Sequence, residues 1–288
     1  MSDIKSSLRV SIQGVPGAFH DMAAREYFPE NDIEIIGCDT FRDAFEAVRN
    51  KRADTAMIAI ENSLAGSLLA NYALLQNSGL DIAGEIYLRI EQNIMALPGQ
   101  TLNDIREVHS HPMAIIQCDE FLEPLRRRGV KVVDAVDTAL SAKWIFDNKI
   151  RGAAALASTL AAEMYNLEIL KRGIETNKMN FTRFLSLAPQ PLAEKIKLRS
   201  EKKINKASVC FSLQHQAGSL SQILSVFAFY KLNLTKIQSA PIAGTEWEYF
   251  FYIDLMFDDY QMYTKALIAV KPLIDHLRIL GEYVSGKP

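Results

Sequence analysis

The chain has 288 residues, 49% hydrophobic and 23% charged, which is ordinary globular composition with apolar material for a large core and a length suited to about two domains. A formal net charge of -2 argues against nucleic acid or an anionic membrane as partner, and no apolar run is long enough to span a bilayer or serve as a signal h-region. Three widely spaced cysteines (Cys38, Cys118, Cys210) support neither a disulfide framework nor a CxxC motif, so a reducing, cytoplasmic location is expected.

In chain order, 8–13 reads as a strand, broken by Gly14-Val15-Pro16-Gly17, with a helix following over about 19–28. A second apolar run covers 33–37. Thr40, three residues before Asp43, then makes a capping-box start for a helix with Phe41, Ala44, Phe45 and Val48 on one face. The unbroken run 55–60 has the pattern of a strand buried on both faces, and a helix is predicted over 66–76. Further strands are predicted at 85–97, 107–109, 130–135, 153–157 and 181–187, several of them separated by helices. This alternation predicts an α/β fold with mostly parallel sheet.

Residues 189–206 change character. Pro189 and Pro191 precede EKIKLRSEKKINK, six Lys/Arg against two Glu, with no interleaved aromatics; this is the composition of a solvated linker. Beyond it, strand 207–213 leads to helix 218–231, with Leu220, Ile223, Leu224 and Phe227 on one face, and strand 233–241. An alternating strand 246–256 (Trp247, Tyr249, Phe251, Ile253, Leu255), a helix 260–275 and a strand 277–284 complete the chain. The order βαββαβ is ferredoxin-like, and its open edge strands predict pairing with a second copy.

Polar clusters punctuate the strand ends, where α/β sheets bind ligands. They are the glycine turn at 14–17, Glu61-Asn62-Ser63, Ser110-His111-Pro112 with Gln117 one turn on, Asp137-Thr138, Ser158-Thr159, and Asn180-Phe181-Thr182-Arg183-Phe184. Ser110 is placed to cap the following helix. Hydroxyls at several helix N-termini suit a carboxylate-bearing substrate and are also what ordinary capping looks like. Arg183, in an apolar strand, needs an anionic partner. His109 and His111 lack a third ligand nearby, so no metal is expected, and no Walker loop, G-x-S-x-G or dinucleotide fingerprint calls for a cofactor.

Taken together, IQGVPGAFHDMAA, MIAIENSLAGS, HSHPMAIIQC, VDTALSA, AALASTLAAEMYNLEIL and NFTRFLSL resemble, in order, the prephenate dehydratases, and QAGSLSQIL with LNLTKIQSAP resembles the ACT regulatory domain of that family. The resemblance implies two lobes like those of periplasmic binding proteins, roughly 1–85 with 158–190 and 86–157, a linker at 191–203, and an ACT domain at 204–288. It implies conversion of prephenate to phenylpyruvate, water and carbon dioxide without cofactor, feedback by L-phenylalanine, and a homodimer or homotetramer through the ACT domains. By the same resemblance Thr182, Glu61, Asn62 and Gln117 are catalytic, with Glu61 orienting Thr182 or supplying a proton. Ser63, Ser110, Thr138 and Arg183 line the substrate, and Gly218, Ser219, Leu220, Asn233, Leu234 and Gln238 hold L-phenylalanine. Departures from the family pattern are Met113, His20, and Gln238-Ser239-Ala240-Pro241 where the family has Glu-Ser-Arg-Pro. Arogenate dehydratase and a non-catalytic amino-acid sensor are the competing readings.

Overall fold

The computed structural model describes residues 7–198, 201–213, 216–241 and 249–286. The chain forms two compact units, Met1–Ser67 with Tyr87–Phe184, and Leu68–Ile86 with Leu185–Pro288. The elements run β1 (Leu8–Gln13), α1 (Phe19–Tyr27), β2 (Ile33–Cys38), α2 (Phe41–Arg49), β3 (Thr55–Asn62), β4 (Gly66–Ser67), α3 (Leu69–Ser78) and β5 (Asp81–Arg89). They continue with β6 (Asn93–Ala96), β7 (Glu107–Ser110), α4 (Pro112–Gln117), α5 (Asp119–Arg127), β8 (Lys131–Asp134), α6 (Thr138–Asn148), β9 (Ala153–Ala157), α7 (Thr159–Met164) and β10 (Glu168–Lys171). Next come β11 (Phe181–Ala188) and α8 (Gln190–Lys197), and last β12 (Lys206–Ser212), α9 (Ser219–Phe229), β13 (Asn233–Pro241), β14 (Tyr249–Met256), α10 (Tyr260–Val270) and β15 (Asp275–Tyr283).

The first sheet is ordered β2-β1-β3-β11-β5, with β4 hairpinned onto β3. Its parallel pairs β1–β2 and β1–β3 explain the unbroken apolar run of β3, which lies between two strands and is buried from Thr55 to Ile60. Helix α2 starts with the capping box read from the sequence: the Asp43 N–H donates to Thr40 and the Thr40 N–H donates to Asp43. The second sheet is ordered β10-β6-β9-β7-β8. Its central strand β9, Ala-Ala-Ala-Leu-Ala, is wholly buried, and its small residues let α6 and α7 approach closely enough to form a core of alanines with Met95, Ile145 and Tyr165.

Four boundaries differ from the sequence reading. The run 85–97 is not one strand: β5 ends at Arg89 in the first sheet and β6 begins at Asn93 in the second, separated by the polar residues Glu91 and Gln92. Residues 158–171 do not join the first lobe. β10 pairs with β6, and Ala161, Ala162, Tyr165 and Leu167 are buried in the core of the second sheet, so the return crossover lies between Lys171 and Phe181. The helix predicted over 66–76 starts only at Leu69, because Gly66, at φ +82°, turns β4 back onto β3. Part of the expected linker is the helix α8.

In the second unit, β12-α9-β13-β14-α10-β15 folds as the expected ferredoxin-like arrangement, sheet order β13-β14-β12-β15. Its core gathers Val209, Phe211, Ile223, Phe227, Ile253, Leu255, Tyr263 and Val270. The start of the alternating strand, including Trp247, lies outside the described residues. Strand β15 is covered by β5: a Cβ on Gly281 would meet the Ile82 carbonyl at 2.5 Å. Fully buried Lys206 donates to both Glu85 oxygens at 2.9 Å, with Asp254 at 3.8 Å, and Ser208 donates to Asp254 at 2.5 Å. No helix among the described residues is long and apolar enough to cross a membrane.

Removing the cation would leave two carboxylates buried without their partner, which costs about 3–5 kcal/mol. Lys206→Met is therefore expected to lower the unfolding free energy measured by urea denaturation by that amount, and a Lys206→Met protein as stable as wild type would show that the pair is not holding β5 to the second unit's sheet.

Candidate active site

The site grows from the carboxyl end of β3. After Asn62 the chain turns through Ser63-Leu64-Ala65, and the Asn62 side chain closes that turn: its Oδ1 accepts the N–H groups of Leu64 (3.0 Å) and Ala65 (2.9 Å). Two backbone donors on one oxygen fix which end of the amide is which. The Nδ2 group must then face the other way, and it donates to Asn180 Oδ1 at 2.7 Å, Thr182 Oγ1 at 3.0 Å and the Phe181 carbonyl at 3.2 Å. Thr182 Oγ1 is thus an acceptor from Asn62, which leaves its own proton to be donated elsewhere.

Ser63 holds the same junction from the other side. Its N–H donates to the Phe181 carbonyl (2.8 Å), its hydroxyl donates to the Met179 carbonyl (2.9 Å), and Oγ accepts the Phe181 N–H (2.9 Å). Ser63 is consequently committed to aligning β11 with β3. On strands, alternate residues face opposite sides. Asn62 and Thr182 share one side; Glu61 and Arg183 meet on the other, Oε2 to Nη1 at 3.9 Å, with Arg183 buried. Glu61 is thus an anionic neighbour of the buried Arg183, and the Asn62 amide donates to Thr182 Oγ1.

The remaining expected residues come from the second lobe. Gln117, at the end of α4, accepts from Gln92 Nε2 at 3.5 Å, and its carbonyl accepts the Thr176 N–H at 2.8 Å. Ser110 is fully buried and donates to the Leu156 carbonyl at 2.8 Å, so it does not cap α4; the cap is His111, whose Nδ1 accepts the Met113 N–H at 3.2 Å. His109 lies apart, beside Glu107 and Trp144. Thr138 opens α6 directly after Asp137, whose carboxylate accepts the Leu140 N–H and is pushed up in pKa by burial. Ser158 caps α7 and donates to the Gly17 carbonyl at 2.6 Å, and Tyr165 donates to the Pro16 carbonyl at 2.6 Å. The glycine turn thus ties the two lobes together, and its Gly17 N–H is taken by Asp21. Side chains likewise occupy an N–H in the first turn of α4, α6 and α7. The helix N-termini are capped by the chain itself, and anion capture by converging helix N-termini does not follow from them.

Sequence reasoning missed the crossover residues. Gln92 and Asn180 are buried, yet Gln92 Oε1 and Asn180 Nδ2 meet no partner among the described residues, and a buried polar group left so costs about 1–3 kcal/mol. Glu175, also buried, accepts from Arg89 (2.9 Å) and the Gln92 N–H (3.0 Å). The signal was the polar trio Glu91-Gln92-Asn93, which interrupts an apolar run that otherwise reads as one strand.

A family model described as prephenate dehydratase matches residues 10–191, from β1 to the start of α8. The chain belongs to the prephenate dehydratase family. It is 39% identical to arogenate dehydratase/prephenate dehydratase 6, chloroplastic, of Arabidopsis thaliana, over 96% of this chain and 69% of that protein. Among solved structures it resembles GqqA, described as a novel type of quorum quenching acylase (32% identity, TM-score 0.83, 96% and 98% of the two chains). It also resembles a prephenate dehydratase from Arthrobacter aurescens in complex with L-Phe (27% identity, TM-score 0.82, 97% and 90%). Family membership makes it a lyase of the dehydratase type.

His20, where the family pattern has serine, faces Phe184 and Phe41 and accepts the Ala59 N–H at Nε2 (3.4 Å). Burial lowers its pKa from 6.5 to about 4, so the folded protein holds it neutral with the proton on Nδ1. Between those values the unfolded chain binds a proton that the folded chain does not, so this contribution to stability is present above pH 6.5 and lost as pH falls toward 4. Urea midpoints measured across that window should fall less steeply for His20→Gln than for wild type; parallel profiles would contradict a buried neutral imidazole.

Proposed function

We propose that the protein converts prephenate to phenylpyruvate, with Thr182 as the residue that assists departure of the ring hydroxyl. The observation that carries this reading is the Asn62 amide on Thr182 Oγ1, which makes the threonine a hydrogen-bond donor toward substrate. Prephenate is a dicarboxylate whose ring becomes aromatic once it loses carbon dioxide and hydroxide, so the driving force lies within the substrate. The bond from ring carbon to carboxylate breaks and its electron pair enters the ring. The carbon–oxygen bond breaks at the opposite ring carbon, and its pair leaves on oxygen as hydroxide, which takes a proton to become water. Charge develops on that oxygen, and a fixed donor beside it stabilises the transition state more than the ground state. Threonine is too weak an acid to serve by pKa alone, so positioning carries the effect.

Within this reading Gln117 orients the substrate from the second lobe, and Thr138 lines the site. Ser63 and the Glu61–Arg183 pair hold the strand ends on which Asn62 and Thr182 depend, and Ser110 holds β7 against β9 in the second sheet. Arogenate, which carries an amine in place of the keto oxygen, is the competing substrate, and it is favoured by the names of the plant relatives, several of which are arogenate dehydratases. Rates of phenylpyruvate formation from prephenate and phenylalanine formation from arogenate, measured on one preparation, decide between them. Thr182→Val is expected to lower kcat about 10²–10³-fold on the preferred substrate while Thr182→Ser keeps most of it; a valine variant with wild-type turnover would refute the assignment.

The ferredoxin-like module is read as an ACT domain that binds L-phenylalanine, and the Arthrobacter structure with L-Phe supports it. Gly218, at φ +87°, opens α9 with Ser219 and Leu220 beyond the carboxyl end of β12, whereas Asn233 and Leu234 begin β13. Because β12 and β13 both run antiparallel to β14, they run parallel to each other, and Asn233 aligns with Lys206 while Gln238 aligns with Cys210. One chain therefore separates Gly218–Leu220 from Asn233 by the length of β13. A ligand touching both sets needs a second copy, which supports a homodimer or homotetramer. L-phenylalanine is expected to inhibit turnover and to give heat on calorimetric titration; no heat and no inhibition at millimolar concentration would remove this role.

A further inference from the structure

Asn180 stands at the start of the β11 segment that carries Thr182, and it is fully buried with Nδ2 unpartnered. Its amide orientation is not arbitrary. Asn62 Oδ1 is held by two backbone N–H groups, so Asn62 Nδ2 must face Asn180, and the Asn180 atom that receives it must be Oδ1. Nδ2 of Asn180 is then the end turned away from Asn62, buried and without a partner among the described residues. Gln92 Oε1 is also unpartnered, but its amide faces only another amide, Gln117, and both can turn over together; Asn180 cannot. Asn180 Oδ1 and Thr182 Oγ1 both lie within hydrogen-bond distance of one nitrogen, so the two side chains are neighbours, two residues apart on the same side of the chain.

We propose that Asn180 is a second catalytic residue, whose Nδ2 donates a hydrogen bond to the same departing oxygen that accepts the Thr182 hydroxyl hydrogen bond. This rests on the functional reading above and adds to it. The Asn62 amide saturates one acceptor on each neighbour and thereby turns two donors, Thr182 O–H and Asn180 N–H, toward one ligand oxygen. Bond changes are those already given: the ring carbon–oxygen bond breaks with its electron pair on oxygen, and the two donors hold the forming hydroxide until it takes a proton from solvent and leaves as water. Two preorganised donors on one developing charge are the arrangement of an oxyanion hole, assembled here on a leaving group.

Asn180→Asp tests this, because an aspartate changes its donor capacity with pH. Protonated, it still accepts from Asn62 and donates through its O–H; ionised, it still accepts from Asn62 and cannot donate. In the pH profile of kcat and kcat/KM on the preferred substrate, the variant is expected to approach wild type at the acid end. It is expected to fall about 10²-fold below wild type, in both parameters together, once the carboxyl ionises. A role limited to holding Asn62 predicts no such loss, since a carboxylate accepts that bond at least as well. A variant-to-wild-type ratio that is flat with pH, at whatever level, overturns the proposal. If circular dichroism shows Asn180→Asp unfolded, the side-chain amide of Asn180 is followed instead by NMR in 15N-asparagine-labelled Thr182→Ala protein. Its Nδ2 protons are expected to move when prephenate is added, and unmoved resonances in a complex shown to form overturn it. Wild-type protein with no turnover on prephenate or arogenate would instead sink the functional reading itself, an outcome distinct from an active enzyme with a flat Asn180→Asp ratio.

Discussion

One side-chain amide, that of Asn62, holds the carboxyl end of β3 and the start of β11 together. Its oxygen closes the turn after β3 and its nitrogen bridges to Asn180, Phe181 and Thr182 across the neighbouring strand. Each bond alone would contribute about 1 kcal/mol, but in a buried site the group matters more through direction than through strength. An amide has one accepting end and one donating end. Because the backbone claims the first, every group facing the second must accept. The polarity of the whole site follows from that asymmetry.

The asymmetry holds only if β3 and β11 keep their alignment, and several independent contacts enforce it. Ser63 makes three hydrogen bonds to residues 179–181, and Arg183 meets Glu61 on the opposite side of the strands. The chain crosses between its two sheets twice, near Gln92 and between Lys171 and Phe181, and these segments are held by polar rather than apolar groups. The buried Glu175 carboxylate ties Arg89 to the Gln92 N–H, and the Ile90 and Ile174 N–H groups donate to the Asn180 and Gln92 carbonyls. Crossing segments with buried backbone must find hydrogen bonds, since orphaned peptide groups are costly. The ties that serve the chain's own peptide groups also fix where Asn180 and Gln117 stand.

Most strands and caps could be read from the residues alone. The apolar runs of β1, β3 and β9 and the Thr40–Asp43 capping box have a period or a spacing that only one local structure satisfies. The error at 85–97 had a physical source. A strand that ends in one sheet and a strand that begins in another, with three residues between, look continuous when only hydrophobicity is followed, although the polar Glu91-Gln92-Asn93 marks the break. The misplacement of 158–171 had a different one: β10 is an edge strand whose partner, β6, lies more than 70 residues away, and nothing local records that pairing. Ser110 illustrates the limit at single residues. A serine beside His-Pro reads as a cap, yet the backbone gives that place to His111 and buries the serine against Leu156.

The length and composition, met first as a case for two domains, already implied a globular chain that needs neither staple nor spanning helix. The motifs narrowed it to one family and to a handful of polar residues, because residue type and spacing are properties of the sequence itself. Which of those residues face one another was decided only by tertiary structure. Glu61 and Asn62 are adjacent in sequence, and the pleat sends one to Arg183 and the other to Thr182. Asn180 carries no sign in the sequence that its amide lacks a partner. An unpaired donor is a fact about every atom around it, and that is settled only when strands more than 100 residues apart are brought side by side.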